Sequence, residues 1–324
     1  MPAQPEPQRS ANDEISTRSV EHTVEKNTAV IGLGNIGGGV ARNLARAGVA
    51  VTGVDLDPAK VARMVAEGGR AAASAAEAVA DCEVLFTSLP GPTQILEVAD
   101  IVLPVMSPGT LWVELSTNDP GTASTLLTRC NEVGVRLIDA PVSGGPEGAE
   151  AGSLSIFVGG SNDDVAEVMP LLAVVGDKVD HLGPNGTGIA AKIAQVTLCY
   201  TQTVTLIEAL LLGVKAGIQP DKMLDLIQNS AGTSYCATAY GPEILAGTYD
   251  ASFPIGHAAK DMRLASQLAD AVGADLPFTK RVAELYARTE DEYGPEAAHL
   301  LAAQLLERAN GTLLHELVDE KNKA

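Results

Sequence analysis

Strand-like and helix-like segments alternate along the first half of this chain, and the alternation limits its fold more than any other feature. Short β-rich runs occur at 29–31, 49–54, 84–88 and 110–115, and helical patterns at 36–47, 58–67 and 122–133 fall between or after them. This rhythm predicts a mostly parallel sheet with helices on both faces. Ligands of such sheets bind at the carboxyl ends of the strands.

The pattern changes after residue 187. Apolar residues then repeat every three or four positions from Ile189 to Val214, which is the stripe of a long helix, and Gly217 and Pro220 close it. The remainder, to about residue 318, is Ala- and Leu-rich with helical spacing. We therefore predict an α/β domain at 28–187 and an all-α domain at 188–318, with a flexible tail at 1–27 and a short tail at 319–324.

Composition excludes several classes of protein. The 324 residues carry a net charge of −19, so no basic cluster can collect the phosphates of a nucleic acid or an anionic membrane. The four cysteines are far apart and form no C-x-x-C pair, which argues against a metal site and fits a reducing cytosol. Residues 1–27 lack the apolar core of a signal peptide, and the apolar run at 206–214 is too short to span a bilayer. We expect a soluble, cytoplasmic protein.

A glycine loop follows the first strand. Residues 32–37 read G-x-G-x-x-G, in which the first glycine allows a tight turn, the second lets a pyrophosphate approach and the third permits helix–strand packing. Asp55 ends the next strand, 23 residues after Gly32, where a carboxylate accepts hydrogen bonds from a ribose 2′-OH and repels a 2′-phosphate. Its chain neighbours include no arginine. The pattern predicts a Rossmann-type domain that binds NAD rather than NADP; the alternative is that Asp55 is only a solvated turn residue. The predicted cofactor contacts in these two segments are Gly32, Gly34, Asn35, Ile36, Gly37 and Asp55.

A second glycine-rich segment, DAPVSGGPEGAEAGSLSIFVGG, occupies residues 139–160. Its Ser-Gly-Gly turn offers bare backbone N–H groups and a hydroxyl that can line an anion-sized concavity. Glycines at this density between two strand-like runs indicate backbone close to a ligand. A glycine-rich hairpin without function is the alternative.

Together with three further blocks, this segment resembles the β-hydroxyacid dehydrogenase family, which includes 3-hydroxyisobutyrate dehydrogenase, tartronate semialdehyde reductase and 6-phosphogluconate dehydrogenase. The other blocks are IGLGNIGGGVARNL (31–44), GPNGTGIAAK (183–192) and KDMRLA (260–265), and the resemblance covers about residues 28–310. It implies an α/β Rossmann-type domain followed by an all-α domain. It also implies NAD-dependent hydride transfer between a small 3-hydroxy acid and its semialdehyde, in a homodimer or homotetramer assembled through the helical domain.

The resemblance also assigns roles to residues. Lys192 becomes the proton-transfer residue, which requires that its pKa be lowered by burial or by a nearby positive charge; otherwise it is an ordinary surface lysine at the start of a helix. Around it, the substrate carboxylate is expected to meet Ser143, Gly144 and Gly145, and the cofactor is expected to meet Leu89, Pro90, Thr117 and Lys260.

One position departs from the family pattern. The family usually places asparagine three or four residues beyond the catalytic lysine, on the same helix face. Here these positions hold Gln195, whose amide can still bind the substrate, and Val196, which cannot form a hydrogen bond through its side chain. The departure leaves the substrate open. It also keeps two alternatives in play, an imine reductase on the same scaffold and an NAD-binding protein without catalysis, although imine reductases generally lack the lysine and the Ser-Gly-Gly turn.

Overall fold

The structure is a computed structural model that describes residues 26–315. The predicted tails at 1–27 and 319–324 lie outside these residues, apart from Lys26 and Asn27. Both contact the α/β part, since Lys26 forms an ion pair with Glu167 and the Asn27 N–H donates to Glu83 Oε2 at 3.1 Å.

The sheet confirms the mostly parallel prediction. Its strands are β1 Thr28–Ile31, β2 Val51–Val54, β3 Arg70–Ala71, β4 Val84–Thr87, β5 Leu111–Glu114, β6 Arg136–Asp139, β7 Val142–Ser143, β8 Ser155–Gly159 and β9 Lys178–Gly183. The order is β3-β2-β1-β4-β5-β6-β8-β7, with β9 beside β8. The first six strands pair in parallel, which is the dinucleotide-binding order, whereas β8 runs antiparallel to β6 and β7. The point at which a ligand crosses such a sheet lies between β1 and β4.

Helices cover both faces of the sheet and then form the second half of the chain. Those of the α/β part are α1 Asn35–Arg46, α2 Pro58–Ala66, α3 Ala75–Val79, α4 Pro92–Val102, α5 Pro120–Glu132, α6 Gly145–Ala151 and α7 Asn162–Val175. Those of the second half are α8 Thr187–Lys215, α9 Pro220–Gln228, α10 Tyr235–Ala246, α11 Ile255–Val272, α12 Pro277–Tyr293 and α13 Leu301–Ala309. The all-helical second half is therefore also confirmed, and the chain changes character between Gly183 and Thr187.

Helix α6 is an element that the glycine-rich reading of residues 139–160 did not predict. It begins with Pro146 in its first turn and ends at Gly152, which has a left-handed φ of 70°. Proline at the start and glycine just past the end are helix signals, because proline presets the helical φ and glycine accepts the left-handed cap. Between them, Glu147, Ala149, Glu150 and Ala151 are helix-forming residues, whereas Gly148 is not.

Two apolar layers pack against the α/β sheet, and one long helix organises the second half. Val30, Phe86 and Ile138 are fully buried on one face, and Leu85 and Trp112 on the other. Helix α8 is long and apolar enough to cross a membrane by length and composition alone, but half of its most apolar window is buried inside the protein. That burial is typical of a core helix.

Candidate cofactor and substrate site

In the glycine loop between β1 and α1, the backbone is open to a ligand at one glycine, Gly34. Gly32 has a φ of +87°, and a Cβ there would overlap the Ser88 carbonyl oxygen at the end of β4. A Cβ at Gly37 would overlap the Gly32 carbonyl oxygen, whereas a Cβ at Gly34 would meet nothing within 4 Å. The first and third glycines are therefore required by packing, and the second faces open space. This is the cradle into which a pyrophosphate fits at the N-terminus of α1.

Asp55 is fixed beside this loop. Its Oδ2 accepts a hydrogen bond from the Leu33 N–H at 2.7 Å, and its Oδ1 accepts one from the Asp57 N–H at 2.9 Å. Lys60, one turn into α2, places its Nζ 3.5 Å from Asp55 Oδ1. The sequence prediction considered only the residues next to Asp55 in the chain and missed this cation, which offsets part of the carboxylate's repulsion of a phosphate.

A cavity of about 560 Å³ opens beside Gly34 and Asn35. Lys60 and Arg63 of α2 line it together with residues of α1 and α6. The cavity therefore offers cationic side chains of α2 next to the loop, together with the carboxylates of Glu147 and Glu150 on α6, and its size suits part of a dinucleotide.

A buried carboxylate holds the two loops on the other side of the cofactor cradle. Glu114, 1% exposed at the end of β5, accepts hydrogen bonds from Thr87 Oγ1 and from the Ser116 N–H, both at 2.7 Å. The Ser116 hydroxyl in turn accepts from the Leu89 N–H at 2.8 Å. Burial raises the pKa of Glu114 to about 7, against the effect of these donors. The network ties the Leu89-Pro90 loop to the Ser116-Thr117 loop.

Next to Thr117 lies a free acceptor. Asn118 is 1% exposed, and its Oδ1 has no hydrogen-bond partner among residues 26–315. A buried, unsatisfied amide oxygen is costly in a protein that binds nothing there. An amide donor such as the carboxamide of a nicotinamide would satisfy it. Lys260 of α11 reaches the Leu89-Pro90 loop, where its Nζ donates to the Pro90 carbonyl at 3.3 Å. The residues present therefore fit a nicotinamide dinucleotide.

Two of the family-like sequence blocks, 139–160 and 183–192, meet at one side chain, Asp139. Its Oδ1 accepts a hydrogen bond from the Gly186 N–H at 2.7 Å, and its Oδ2 accepts one from the Ile189 N–H at 2.9 Å, so it caps the N-terminus of α8. A Cβ at Gly159 or Gly188 would come within 2.8 Å of an Asp139 carboxylate oxygen. The glycines thus allow α8 to begin directly against the end of β6. This contact fixes the start of the helix that carries Lys192.

The Ser-Gly-Gly turn follows β6 at the same place. Ser143 lies on β7, paired with Ser155 of β8, and Gly144 and Gly145 adopt positive φ values of 127° and 64°. Residues with a Cβ avoid this region, which explains the two consecutive glycines. The start of α8 also packs on β8, because a Cβ at Gly188 would overlap the Phe157 carbonyl oxygen. The turn and the start of α8 therefore share one edge of the sheet.

Lys192 is partly exposed in the second turn of α8 and makes no ion pair or hydrogen bond within the described part of the chain. Burial lowers its pKa, and the positive charge of Lys260 acts in the same direction, whereas Asp261 opposes the shift. Asp261 is 6% exposed and lies 3.8 Å from the Lys260 Nζ and 3.4 Å from the Tyr200 hydroxyl. Sequence reasoning missed it, although it stands inside the KDMRLA block. An unpaired lysine with a lowered pKa releases its proton at a lower pH than an ordinary lysine and can then act as a base.

The two residues that depart from the family pattern lie differently on α8. Gln195 is exposed, one turn beyond Lys192, where its amide remains free to meet a substrate. Val196 is 6% exposed and packs in an apolar cluster with Tyr200, Met262 and Tyr286. The apolar side chain at this position thus has a packing role inside the helical half.

The predicted cofactor residues lie along the carboxyl ends of β1, β2, β4 and β5, and Lys260 reaches them from the helical half. Ser143 and Lys192 are brought to the neighbouring edge by the contacts of α8 with Asp139 and Phe157. The roles of the individual residues remain predictions. Glu114, Asn118 and Asp139 are further site residues whose placement is visible only in the fold.

Comparison with known families matches nearly the whole of the described chain. Residues 27–183 match the NAD binding domain of 6-phosphogluconate dehydrogenase, and residues 186–306 match the model described as NAD-binding of NADP-dependent 3-hydroxyisobutyrate dehydrogenase. The two matches meet where β9 ends and α8 begins.

Individual relatives match over most of their length. A 2-(hydroxymethyl)glutarate dehydrogenase of Eubacterium barkeri is 35% identical over 260 residues, 79% of this chain and 86% of that protein. An NAD-dependent L-serine dehydrogenase of Pseudomonas aeruginosa is 32% identical over 271 residues, 81% and 91% of the two chains. A solved structure of 3-hydroxyisobutyrate dehydrogenase from Mycobacterium tuberculosis with L-serine has a TM-score of 0.82 at 28% identity and covers 87% of this chain and 99% of its own.

Proposed function

This chain belongs to the β-hydroxyacid dehydrogenase family of nicotinamide-dependent oxidoreductases, and from that membership we propose that it interconverts a small 3-hydroxy acid and its semialdehyde, with Lys192 transferring the proton. The observation that carries the proposal is Lys192 itself, unpaired and with a lowered pKa, on a helix whose first turn is capped by Asp139 at the end of β6. We also propose that the protein works in the cytoplasm.

The chain's own groups divide the task. A bound nicotinamide supplies the site that accepts or returns the hydride. In the oxidation, the neutral amine of Lys192 accepts the proton of the substrate hydroxyl, and in the reduction its ammonium returns that proton. The Ser143 hydroxyl and the N–H groups of Gly144 and Gly145 hold the carboxylate, so that the reacting carbon is presented in a fixed orientation. Gln195 adds an amide contact.

The experiment that tests the proposal is a substrate screen. The purified protein is incubated with NAD and a panel of 3-hydroxy acids, and the absorbance of the reduced nicotinamide is followed. Oxidation of at least one 3-hydroxy acid is expected. Activity only with cyclic imines and a reduced cofactor would favour the imine reductase alternative, which the presence of Lys192 and the Ser143 turn argues against. Binding of NAD without turnover on any acid would favour a cofactor-binding protein.

We propose that NAD is preferred over NADP. A 2′-phosphate charge about 4 Å from the Asp55 carboxylate costs on the order of 4 kcal/mol at an effective dielectric constant near 20, and Lys60 at 3.5 Å from Asp55 offsets part of this. The expected result is a higher kcat/KM with NAD. Asp55→Asn keeps an oxygen for the Leu33 N–H but removes the charge, so it should narrow the NAD-to-NADP ratio.

Lys60→Met is the matched opposite change. It removes the cation that would attract a 2′-phosphate, so it should raise the ratio of kcat/KM with NAD to kcat/KM with NADP. The check is to measure kcat/KM with NAD and with NADP for the wild type, Asp55→Asn and Lys60→Met. A wild-type kcat/KM that is equal or higher with NADP contradicts the preference.

We propose that the helical half assembles the protein into a homodimer or homotetramer. Large apolar side chains are exposed there, with Leu212 on α8 and Phe278 on α12 each 74% exposed. Association of two copies would remove such side chains from water. Light scattering at micromolar concentration should give at least twice the chain mass of 33.4 kDa.

Leu212→Glu should lower that mass, because it places a charge in the apolar contact. Ile101→Glu, at an exposed position of α4 in the α/β part, is the control and should leave the mass unchanged. A monomeric mass for the wild type at these concentrations argues against the assembly.

A further inference from the structure

Two of the four cysteines lie together, on helices α8 and α10. The sulfur atoms of Cys199 and Cys236 are 3.8 Å apart. Cys199 is partly exposed and Cys236 is fully buried. In the sequence these residues are 37 positions apart and offer no motif. The contact is created only when α10 packs on α8.

The surroundings of the pair make Cys236 the more acidic of the two thiols, which suits it to attack the sulfur of an oxidised Cys199. Cys236 is in the first turn of α10, where the positive end of the helix stabilises a negative sulfur. The Thr203 hydroxyl lies 3.4 Å from its Sγ and donates to the Cys199 carbonyl oxygen at 2.9 Å. The hydrogen bond with Cys199 lowers the pKa of Cys236 and raises that of Cys199. By contrast, burial raises the pKa of Cys82 and of Cys130, in the α/β part, to about 12.

The pair also stands next to the proposed proton-transfer residue. Cys199 follows Lys192 by seven residues, two turns along α8, and therefore lies on the same face of the helix as Lys192 and Gln195. Lys192 and Cys199 are near enough that each shifts the pKa of the other. A change at Cys199 would therefore be felt on the substrate side of α8.

We propose that Cys199 and Cys236 are a redox-modification site, which closes to a disulfide between α8 and α10 in the presence of a peroxide and reopens with a thiol reductant. A disulfide requires the sulfurs to approach to about 2.05 Å. Starting from 3.8 Å, this needs a movement on the order of 2 Å, which side-chain rotation and a small shift of α10 can share.

The oxidant is hydrogen peroxide, which reaches the exposed sulfur first. The Cys199 thiol loses its proton and its sulfur attacks one peroxide oxygen; the O–O bond breaks, Cys199 becomes a sulfenic acid, and the released hydroxide takes the proton to form water. The Cys236 sulfur, on losing its own proton, then attacks the Cys199 sulfur. The S–O bond breaks, the S–S bond forms, and the second hydroxide leaves as water with the Cys236 proton. Two thiols are oxidised and one peroxide is reduced to two waters.

The site can be tested without reference to catalysis. The reduced full-length protein is treated with a small excess of hydrogen peroxide, alkylated under denaturing conditions and analysed by mass spectrometry. We expect two alkylated cysteines, Cys82 and Cys130, and a Cys199–Cys236 peptide pair lighter than the two free-thiol peptides by two hydrogen atoms. Dithiothreitol should restore four alkylated cysteines. Four alkylated cysteines after peroxide, or separate sulfinic acids at Cys199 and Cys236, would overturn the proposal.

Cysteine variants provide a second test of the disulfide. Cys199→Ser and Cys236→Ser should each abolish the cross-linked peptide, whereas Cys82→Ser should keep it. The wild-type peptide map decides the matter even if Cys236→Ser does not fold.

The effect on turnover rests on the proposed dehydrogenase function. A shift of this size beside Lys192 should lower kcat roughly 10-fold to 100-fold in the oxidised wild type, reversibly, while Cys199→Ser keeps its rate after peroxide. If the disulfide forms but the reduced protein oxidises no hydroxy acid, the dehydrogenase proposal fails and the redox site stands. If the reduced protein is active and no disulfide forms, the redox proposal fails alone.

Discussion

Replacing Lys192 with alanine is expected to lower kcat by about 10²–10⁴-fold, the usual contribution of general acid–base catalysis. In this variant, the substrate hydroxyl no longer has the Lys192 amine as its proton acceptor. NAD affinity should stay close to wild type, because the cofactor cradle is formed by Gly32, Gly34, Gly37 and Asp55 on other elements. Steady-state kinetics on the best 3-hydroxy acid and a separate NAD titration measure the two effects.

The pH profile separates proton transfer from mere positioning. The pKa of Lys192 lies below its ordinary value because of burial, so the neutral amine becomes available at a correspondingly lower pH. The rate of alcohol oxidation should therefore rise with pH through this lowered pKa and then level off, and the reverse reduction should fall through the same region. Lys192→Ala should not show this rise of the oxidation rate with pH.

Two neighbouring substitutions act as controls. Lys192→Arg should fail like the alanine variant, because a guanidinium cannot be deprotonated in a protein. Gln195→Ala should mainly raise KM, if its amide only helps to hold the substrate. Near-normal turnover by Lys192→Ala on the best substrate would refute the lysine mechanism.

Features that depend on local backbone geometry could be predicted from the sequence. The spacing of Gly32, Gly34 and Gly37 follows from a turn and a close approach within six residues, and the structure gives each glycine a separate steric reason. The alternation of strands and helices likewise predicted the parallel sheet, because each element is set by its own residues. Lys192 was found through a sequence block and not through its chemistry.

Features that depend on burial and on contacts between distant segments were missed. In the sequence, Glu114 is only one polar residue in an apolar strand. In the fold, its carboxylate accepts hydrogen bonds from the Thr87 hydroxyl of β4 and from the Ser116 N–H. Lys60 lies five residues from Asp55, and only the geometry of α2 makes it an electrostatic partner. Cys199 and Cys236 share no sequence pattern. In each case, folding brings together residues whose contact is not visible in the sequence.

Gly188→Ala is expected to lower both stability and turnover strongly, although residue 188 touches no reacting group. A Cβ there would overlap the Phe157 carbonyl oxygen and lie 2.8 Å from Asp139 Oδ2, and neither group can rotate away. The start of α8 must therefore shift, which strains packing by about 1–3 kcal/mol. Because Lys192 follows one turn later, a displacement of about 1 Å there can cost on the order of 10²-fold in kcat.

Gly186→Ala is the matched control for this prediction. Gly186 has a φ of +94° but a Cβ there would meet nothing within 4 Å, so alanine should cost only the left-handed backbone conformation, about 1–2 kcal/mol. Thermal unfolding should therefore detect both variants, whereas only Gly188→Ala should lose most of its kcat at a temperature where both are folded. If the two variants lose kcat equally, or if Gly188→Ala turns over normally, then the contact of α8 with Asp139 and Phe157 does not position Lys192.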